Sequence, residues 1–285
     1  MEEKEACMAN CELFGKFAEY FESQVVPLWG SVYDDLVSRA HITLGQRVLD
    51  VGTGTGEVAL RASSRVGSRG AVVGVDTEEE MLKIARRKAT RLSLDNIEFK
   101  EMSAERLNLP EGSFDSVVGN YSLCCCFDYE AALARCLRVL KPGGRLTYNH
   151  SGPGDPLEFQ VASKIFEKYQ TATPSSKLQR IRKASLGQRE AVEKYRDPFV
   201  ALSAMRRLGY EGAEASIRQR VIQYPNAEAF IERMLGFNWR NEADEMSGEG
   251  LRKFRSEATA ALASLSAGPG FVVADEMTFF SGRKP

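Results

Sequence analysis

The sequence reads as an α/β protein built on a parallel sheet with crossover helices, and three features say so. Short β-branched runs alternate with helical stretches from residue 46 onward; the first run, RVLDVG, opens into a glycine-rich turn; and the helical stretch YEAALARCLRVL stops on KPGG before the next run, RLTYNH. Strands laid parallel need a crossover between them, and a helix is the usual one.

Each element follows in order. Over 1–40, apolar residues at helical spacing (Leu13, Phe17, Tyr20, Phe21, then Val32, Leu36, Val37), interrupted near Pro27, predict two short N-terminal cap helices. The core, 41–150, runs RVLDVG, EVALRASSRV, AVVGVD, MLKIARRKATRL, IEFKEM, FDSVVGNYSL, YEAALARCLRVL and RLTYNH, which gives five strands with helices between most of them. The alternation then lapses, and 151–196 reads as a helical cap insertion. FVALSAMRRLGY and ASIRQRVIQYP, within 197–224, restore a core helix and a sixth strand, and AEAFIERML with GLRKFRSEATAALASL makes 225–268 a second helical insertion. FVVADEMTFFSGRKP, 269–285, alternates as a last strand expected to pair antiparallel at the edge of the sheet.

Composition excludes several classes of function. Apolar residues make up 43% and charged residues 27%, and the net charge of −1 gives no field to attract a polyanion, so no nucleic-acid partner is expected. MEEKEACMAN has no signal-peptide pattern, and no run approaches the roughly 18 apolar residues of a membrane span; a cytoplasmic protein with no integral membrane segment is expected. The oligomeric state is left open, a homo-oligomer included. Cys7, Cys11, Cys124, Cys125, Cys126 and Cys136 show no C-x-x-C spacing, so no metal site is expected and the thiols read as reduced, packed side chains.

VLDVGTGTG carries the chemistry. A strand ending in a glycine turn that opens a helix puts bare backbone at the carboxyl end of the sheet, where open α/β sheets bind ligands. Gly52, Gly54 and Gly56 give G-x-G-x-G, not the dinucleotide G-x-G-x-x-G, and no Lys-Ser/Thr follows as in a P-loop. Asp50, beside that turn, repels a pyrophosphate and attracts an ammonium group. S-adenosylmethionine meets these demands: its methionine end is cationic, and its ribose diol suits Asp76, at the end of AVVGVD. A lesser alternative for Asp76 is a cap of the helix that follows.

VLDVGTGTG, VVGVD, MSAERLNLP, FDSVVGNYSL and RVLKPGGRL, in that order and spacing, resemble class I S-adenosylmethionine-dependent methyltransferases, and among them the small-molecule branch that includes the ubiquinone and menaquinone C-methyltransferases. The resemblance covers roughly residues 40 to 150 and implies a Rossmann-like, doubly wound sheet of seven strands, the last antiparallel. It implies S-adenosyl-L-methionine as cofactor, with Asp50, Gly52, Thr53, Gly54 and Gly56 at the methionine end, Asp76 and Thr77 at the ribose and Met81 over the adenine. The family's usual Asp-Ala pair is replaced by Ser103-Ala104-Glu105, where Ser103 or Glu105 would take the adenine amino group. Asn120 and Tyr121 fall near the transferable methyl, and Tyr20 is offered for the methionine carboxylate or for helix packing.

Methyl transfer from sulfonium needs alignment and dryness more than catalytic side chains, and a base only when the acceptor must shed a proton. His150, ending the fifth strand, reads as that base or as a structural histidine, with Tyr121 a second candidate; His41 reads as structural. Phe159, Tyr169, Phe230, Phe237 and Trp239 either line an apolar pocket over the sheet or pack the insertions themselves. The expectation is O- or C-methylation of a small, partly hydrophobic acceptor such as a quinol or phenol. Two alternatives stand beside it: a thiol or arsenite methyltransferase using Cys124, Cys125 and Cys126, and a cofactor-binding regulatory protein without turnover.

Overall fold

A computed structural model describes residues 17–265 and 270–285. Leu13, Cys7, Cys11 and the start of the first expected helix lie outside them. From Ala18 to Trp29 the chain makes short α, π and 3-10 turns, and Pro27 sits in the last of these. A regular helix, α1 (Gly30–Arg39), leads into β1 (Arg47–Val51). The core continues through α2 (Glu57–Val66), β2 (Ala71–Asp76), α3 (Glu79–Arg91), β3 (Ile97–Glu101), β4 (Phe114–Asn120), α4 (Tyr129–Val139) and β5 (Leu140–Ser151). Lys141 to Gly144 form an irregularity where β5 joins the sheet, since Phe114 pairs with Leu140 but Ser116 with Arg145.

Helices α5 (Leu157–Glu167), α6 (Ser176–Arg196) and α7 (Pro198–Arg207) precede β6 (Glu211–Tyr224). Helices α8 (Ala227–Gly236) and α9 (Gly248–Ala263) precede β7 (Phe271–Arg283). The strand order is β3-β2-β1-β4-β5-β7-β6, with β1 to β5 parallel and β7 antiparallel to both of its neighbours. The expected seven-stranded doubly wound sheet is present. No described helix is long and apolar enough to cross a membrane.

The placement of β7 corrects the edge expected for it. It lies between β5 and β6, and β6 is the edge. Burial gives the reason: Met277 to Gly282 are buried on both faces, as an interior strand requires, whereas β6 exposes most of its charged first half to solvent. The alternation that suggested an edge is confined to the first half of β7, which runs on beyond β5.

Two apolar layers sandwich the sheet. Leu49, Val51, Val73, Val75, Tyr148 and Phe280 face α4 and α7; Val48, Val72, Val118, Met277 and Phe279 face α1 and α2. A third core joins α5, α8 and α9 to the protruding ends of β6 and β7, through Phe166, Phe230, Trp239, Phe254 and Phe271. Both insertions therefore rest on the two strands that outgrow the sheet. Four of the five aromatics offered for a pocket pack this third core: Trp239 stacks on Phe166 at 4.6 Å and lies 5.7 Å from Phe159, Phe230 meets Phe271 at 5.5 Å, and Tyr169 packs from the margin. Phe237 instead meets Phe21 at 5.5 Å, joining α8 to the N-terminal turns.

Candidate active site

The neighbours of β1 are β2 on one side and β4 on the other, so the strand order reverses there and a crevice opens at the carboxyl ends. Asp50 stands in β1 at that point, 1% exposed, and one carboxylate oxygen accepts the Thr53 hydroxyl at 2.7 Å. The other, Oδ1, is buried with no hydrogen-bond partner. Burial pushes the acid up to about 7, opposed by the Thr53 hydroxyl and by the Ala59 amide, which is too poorly placed to make a full hydrogen bond, and reinforced by the charge of Asp76.

The turn after Asp50 needs its glycines for two different reasons. Gly52 has φ 63°, and a Cβ there would strike Ser122 Cβ at 2.3 Å. Gly54, at φ 53°, has open space where a side chain would be, which is the ground a ligand needs against bare backbone. Its N–H donates to Asp76 Oδ2 at 2.8 Å, and Asp76 Oδ1 accepts from the Glu78 amide at 3.0 Å. Asp76 therefore ties the glycine turn to the start of α3, and burial raises its acid above the ordinary range against those amide hydrogen bonds and one from Thr77. Gly56 closes the turn as the residue before α2.

The other expected cofactor residues divide. Met81 is buried beside Ala18 and Ile84, with Phe21 against them. Ser103 Oγ accepts the Glu105 amide at 3.2 Å, opening a short 3-10 turn that contains Ala104. Glu105 Oε1 accepts the amides of Phe127 and Asp128, which commits it to bracing the segment after the cysteine run. Tyr20 lays its ring against Gly236 and donates to the Glu232 carbonyl at 3.5 Å, so its hydroxyl faces α8.

At the end of β4, Asn120 Oδ1 accepts from Asn149 Nδ2 at 3.0 Å, and Asn149 Oδ1 accepts the Tyr121 amide at 3.1 Å. This pair holds Tyr121 at φ 51°, a left-handed conformation costly for an aromatic residue. The Tyr121 ring meets Trp29 edge-on, 4.6 Å between centroids, and burial holds its phenol protonated well above the usual range. His150 is 1% exposed, with Nδ1 2.8 Å from the Ser151 carbonyl and its ring 4.8 Å from Phe280. Burial pulls its pKa down to about 4, so the ring stays neutral at ordinary pH. It lies on the Tyr148 and Phe280 side of β5, whereas Asn149 on the other side reaches Tyr121.

The cysteine run turns mostly inward. Cys124 is buried, Cys126 half-buried, and Cys125 donates to the Tyr121 carbonyl at 3.3 Å. Among the described residues no three His, Cys, Asp or Glu side chains converge to hold a metal.

Sequence reasoning missed four residues beside this site: Trp29, Asn149, Arg220 and Asp275. Arg220 lies over the Trp29 ring at 3.8 Å and binds Asp275 through Nε at 2.8 Å and through Nη2. A polar strand end for Asn149, and an arginine facing an aspartate between two otherwise extended segments, were the available signals.

With that geometry in place, comparison with known proteins is informative. A family model described as a methyltransferase domain matches residues 42–192, more than half of the chain. The chain is similar to aklanonic acid methyltransferase DauC of Streptomyces sp. (strain C5), 41% identical over 113 residues that cover 40% of this chain and 51% of that protein. It is 36% identical over 135 residues to the ubiquinone/menaquinone biosynthesis C-methyltransferase UbiE of Francisella tularensis subsp. novicida, covering 47% and 52% respectively. The chain thus spans about half the length of these curated relatives. Among solved structures, a putative methyltransferase from Bacillus halodurans superposes with a TM-score of 0.59 at 20% identity, covering 90% of this chain and 99% of that one. Phosphoethanolamine N-methyltransferase 2 of Haemonchus contortus gives 0.55 at 21% identity, over 90% and 52%. Those two likenesses establish the fold. The extent of the family match establishes the family: the chain belongs to the methyltransferase domain family.

Proposed function

We propose that the chain transfers a methyl group from S-adenosylmethionine to an oxygen or carbon of a small, partly hydrophobic acceptor. The observation that carries this reading is the buried Asp50 carboxylate, with one oxygen unpartnered at the sheet's switch point, beside the open backbone of Gly54. An orphaned acceptor of that kind fits an ammonium group and repels a phosphate. When bound, the cofactor supplies an electrophilic methyl on a sulfonium.

The chain's residues do the rest. Asp50 and the turn Gly52-Thr53-Gly54 would hold the methionine end, Asp76 and Thr77 the ribose, and Met81 with Ser103 the adenine end. Asn149 and Asn120 set the backbone of Tyr121, and Tyr121 with Trp29 presents an apolar wall that keeps water from the reacting centre. Proximity and alignment then account for the rate, with Tyr121 and His150 in positioning roles. A phenol held protonated by burial and an imidazole that protonates near pH 4 are poor proton acceptors at neutral pH, so the acceptor would react as its phenolate, having lost its proton to solvent before the methyl is transferred. The similarity to UbiE and DauC supports a ring-bearing acceptor, quinol-like or phenolic. Isothermal titration tests the cofactor: S-adenosylmethionine and S-adenosylhomocysteine should bind, and NAD and ATP should not. Incubation of the chain with methyl-tritiated cofactor and a metabolite extract tests transfer; saturable binding without labelled product would reduce the chain to a regulator.

A further inference from the structure

The protruding halves of β6 and β7 carry a charged cluster that the methyl-transfer site does not use. The last pairing of β5 with β7 is Ser151 with Met277, and Asp275 and its partner Arg220 sit two residues further along, above the rim of the site. The Arg220 side chain is 10% exposed, and Asp275 binds it through both carboxylate oxygens. Arg233, on α8, reaches the same place: its electrostatic neighbours are Tyr224, Arg220, Tyr20 and Asp275. Trp29 completes the group beneath Arg220.

The bonding here is one-sided. Arg233 Nε, Arg220 Nη1 and Trp29 Nε1 are all buried donors with no partner among the described residues. Among the described residues Arg233 donates only weakly, from Nη1 to the Met234 sulfur at 3.3 Å. No acid among them hydrogen-bonds it. Asp275 is spent on Arg220, and Glu232 points outward to Arg255 at 2.6 and 3.0 Å. Burial disfavours the charged form of Arg233, yet a guanidinium keeps its proton, so a half-buried cation shares the single nearby charge of Asp275 with Arg220 and has no hydrogen-bonded acid of its own among the described residues. A buried charge and three orphaned donors cost stability unless a group that only accepts hydrogen bonds arrives with negative charge. A carboxylate is that group, and two donors of a guanidinium match its two oxygens.

We propose that Arg233, Arg220 and Trp29 form a subsite for a carboxylate on the methyl acceptor, so that the enzyme selects small aromatic acids over their neutral counterparts. This rests on the methyltransferase reading, since it is the Trp29 contact with Tyr121 that joins the subsite to the methyl-transfer end. The methionine carboxylate of the cofactor has the same chemistry, and the test separates the two sources.

The protein saturated with S-adenosylhomocysteine is titrated with 1-hydroxy-2-naphthoate and with 1-naphthol, which share a ring system and differ in the carboxylate. Wild type should bind the naphthoate at least tenfold more tightly. Arg233→Met should erase that preference, Arg233→Lys should restore part of it, and affinity for S-adenosylhomocysteine should stay within twofold in both. Thermal unfolding without ligand should show Arg233→Met at least as stable as wild type, because the substitution removes a partly buried cation that must share Asp275 with Arg220. Equal affinity for the two probes, or no naphthoate binding at millimolar concentration, overturns the subsite, and the wild-type comparison needs no variant to fold. A tenfold loss of S-adenosylhomocysteine affinity in Arg233→Met also overturns it, by giving the anion to the cofactor. A wild-type chain that fails to bind S-adenosylhomocysteine at all overturns the methyltransferase reading instead.

Discussion

Asp50→Asn separates what Asp50 does for folding from what it does for binding, and the two effects have opposite signs. Burial raises the acid from its ordinary 3.8 to about 7, so the folded chain binds this proton more tightly than the unfolded chain does. The stabilising contribution of the protonated acid is complete below about pH 3.8 and is lost as pH rises through about 7. Ionised Asp50 therefore costs the folded state about 4 kcal/mol at pH 8, from roughly three pKa units at 1.36 kcal/mol each. Asparagine keeps the shape and an acceptor for Thr53 and carries no charge, so Asp50→Asn should be the more stable protein at pH 8 and should lose that advantage progressively as the pH falls from about 7 to about 3.8. Binding runs the other way. An ammonium ligand needs the ionised carboxylate, about 3% populated at pH 5.5 and about half populated at pH 7 for an acid titrating near 7. Affinity for S-adenosylhomocysteine should therefore rise about fifteenfold between those pH values in wild type, with a proton released on binding. In Asp50→Asn it should be weak and flat. Isothermal titration in two buffers of different ionisation enthalpy reads both the affinity and the released proton. An undiminished, pH-dependent affinity in the variant would refute the assignment of Asp50 to the ammonium group.

Asp76→Ala should weaken S-adenosylhomocysteine binding by about 1 to 3 kcal/mol, the range for losing charge-assisted hydrogen bonds, as measured by the same titration; unchanged affinity would leave Asp76 as a brace for the Gly54 turn alone. His150→Asn should keep turnover within about threefold of wild type, and any inflection of the wild-type rate between pH 6 and 8 should persist in the variant, because an imidazole held near 4 does not titrate there whereas Asp50 does; a loss of about 10²-fold would mark His150 as the base. Trp239→Ala should destabilise the chain by about 3 to 5 kcal/mol in chemical denaturation, since its ring is the centre of the α5, α8 and α9 core, contacting Phe166, Phe159 and Phe254.

What was legible in the sequence follows from how local each signal is. The order of strands and helices from RVLDVG to RLTYNH is written in runs of six to twelve residues, and the glycine turn is a backbone requirement that few other residues satisfy. Both survive without knowledge of the rest of the chain. The site's outer wall does not. Arg220 and Asp275 are 55 residues apart and meet because β6 pairs antiparallel with β7. Arg233 joins them because α8 folds back over the same strands, and Trp29 because the N-terminal turns pack beneath. A scan for motifs gives an arginine in a strand no meaning until its partner across the ladder is known. His150 shows the opposite failure: its position at a strand end is legible, but the facing Phe280 that buries it comes from the other end of the chain. The proposed cofactor end is thus coded by neighbours in sequence and the proposed acceptor end by neighbours in space.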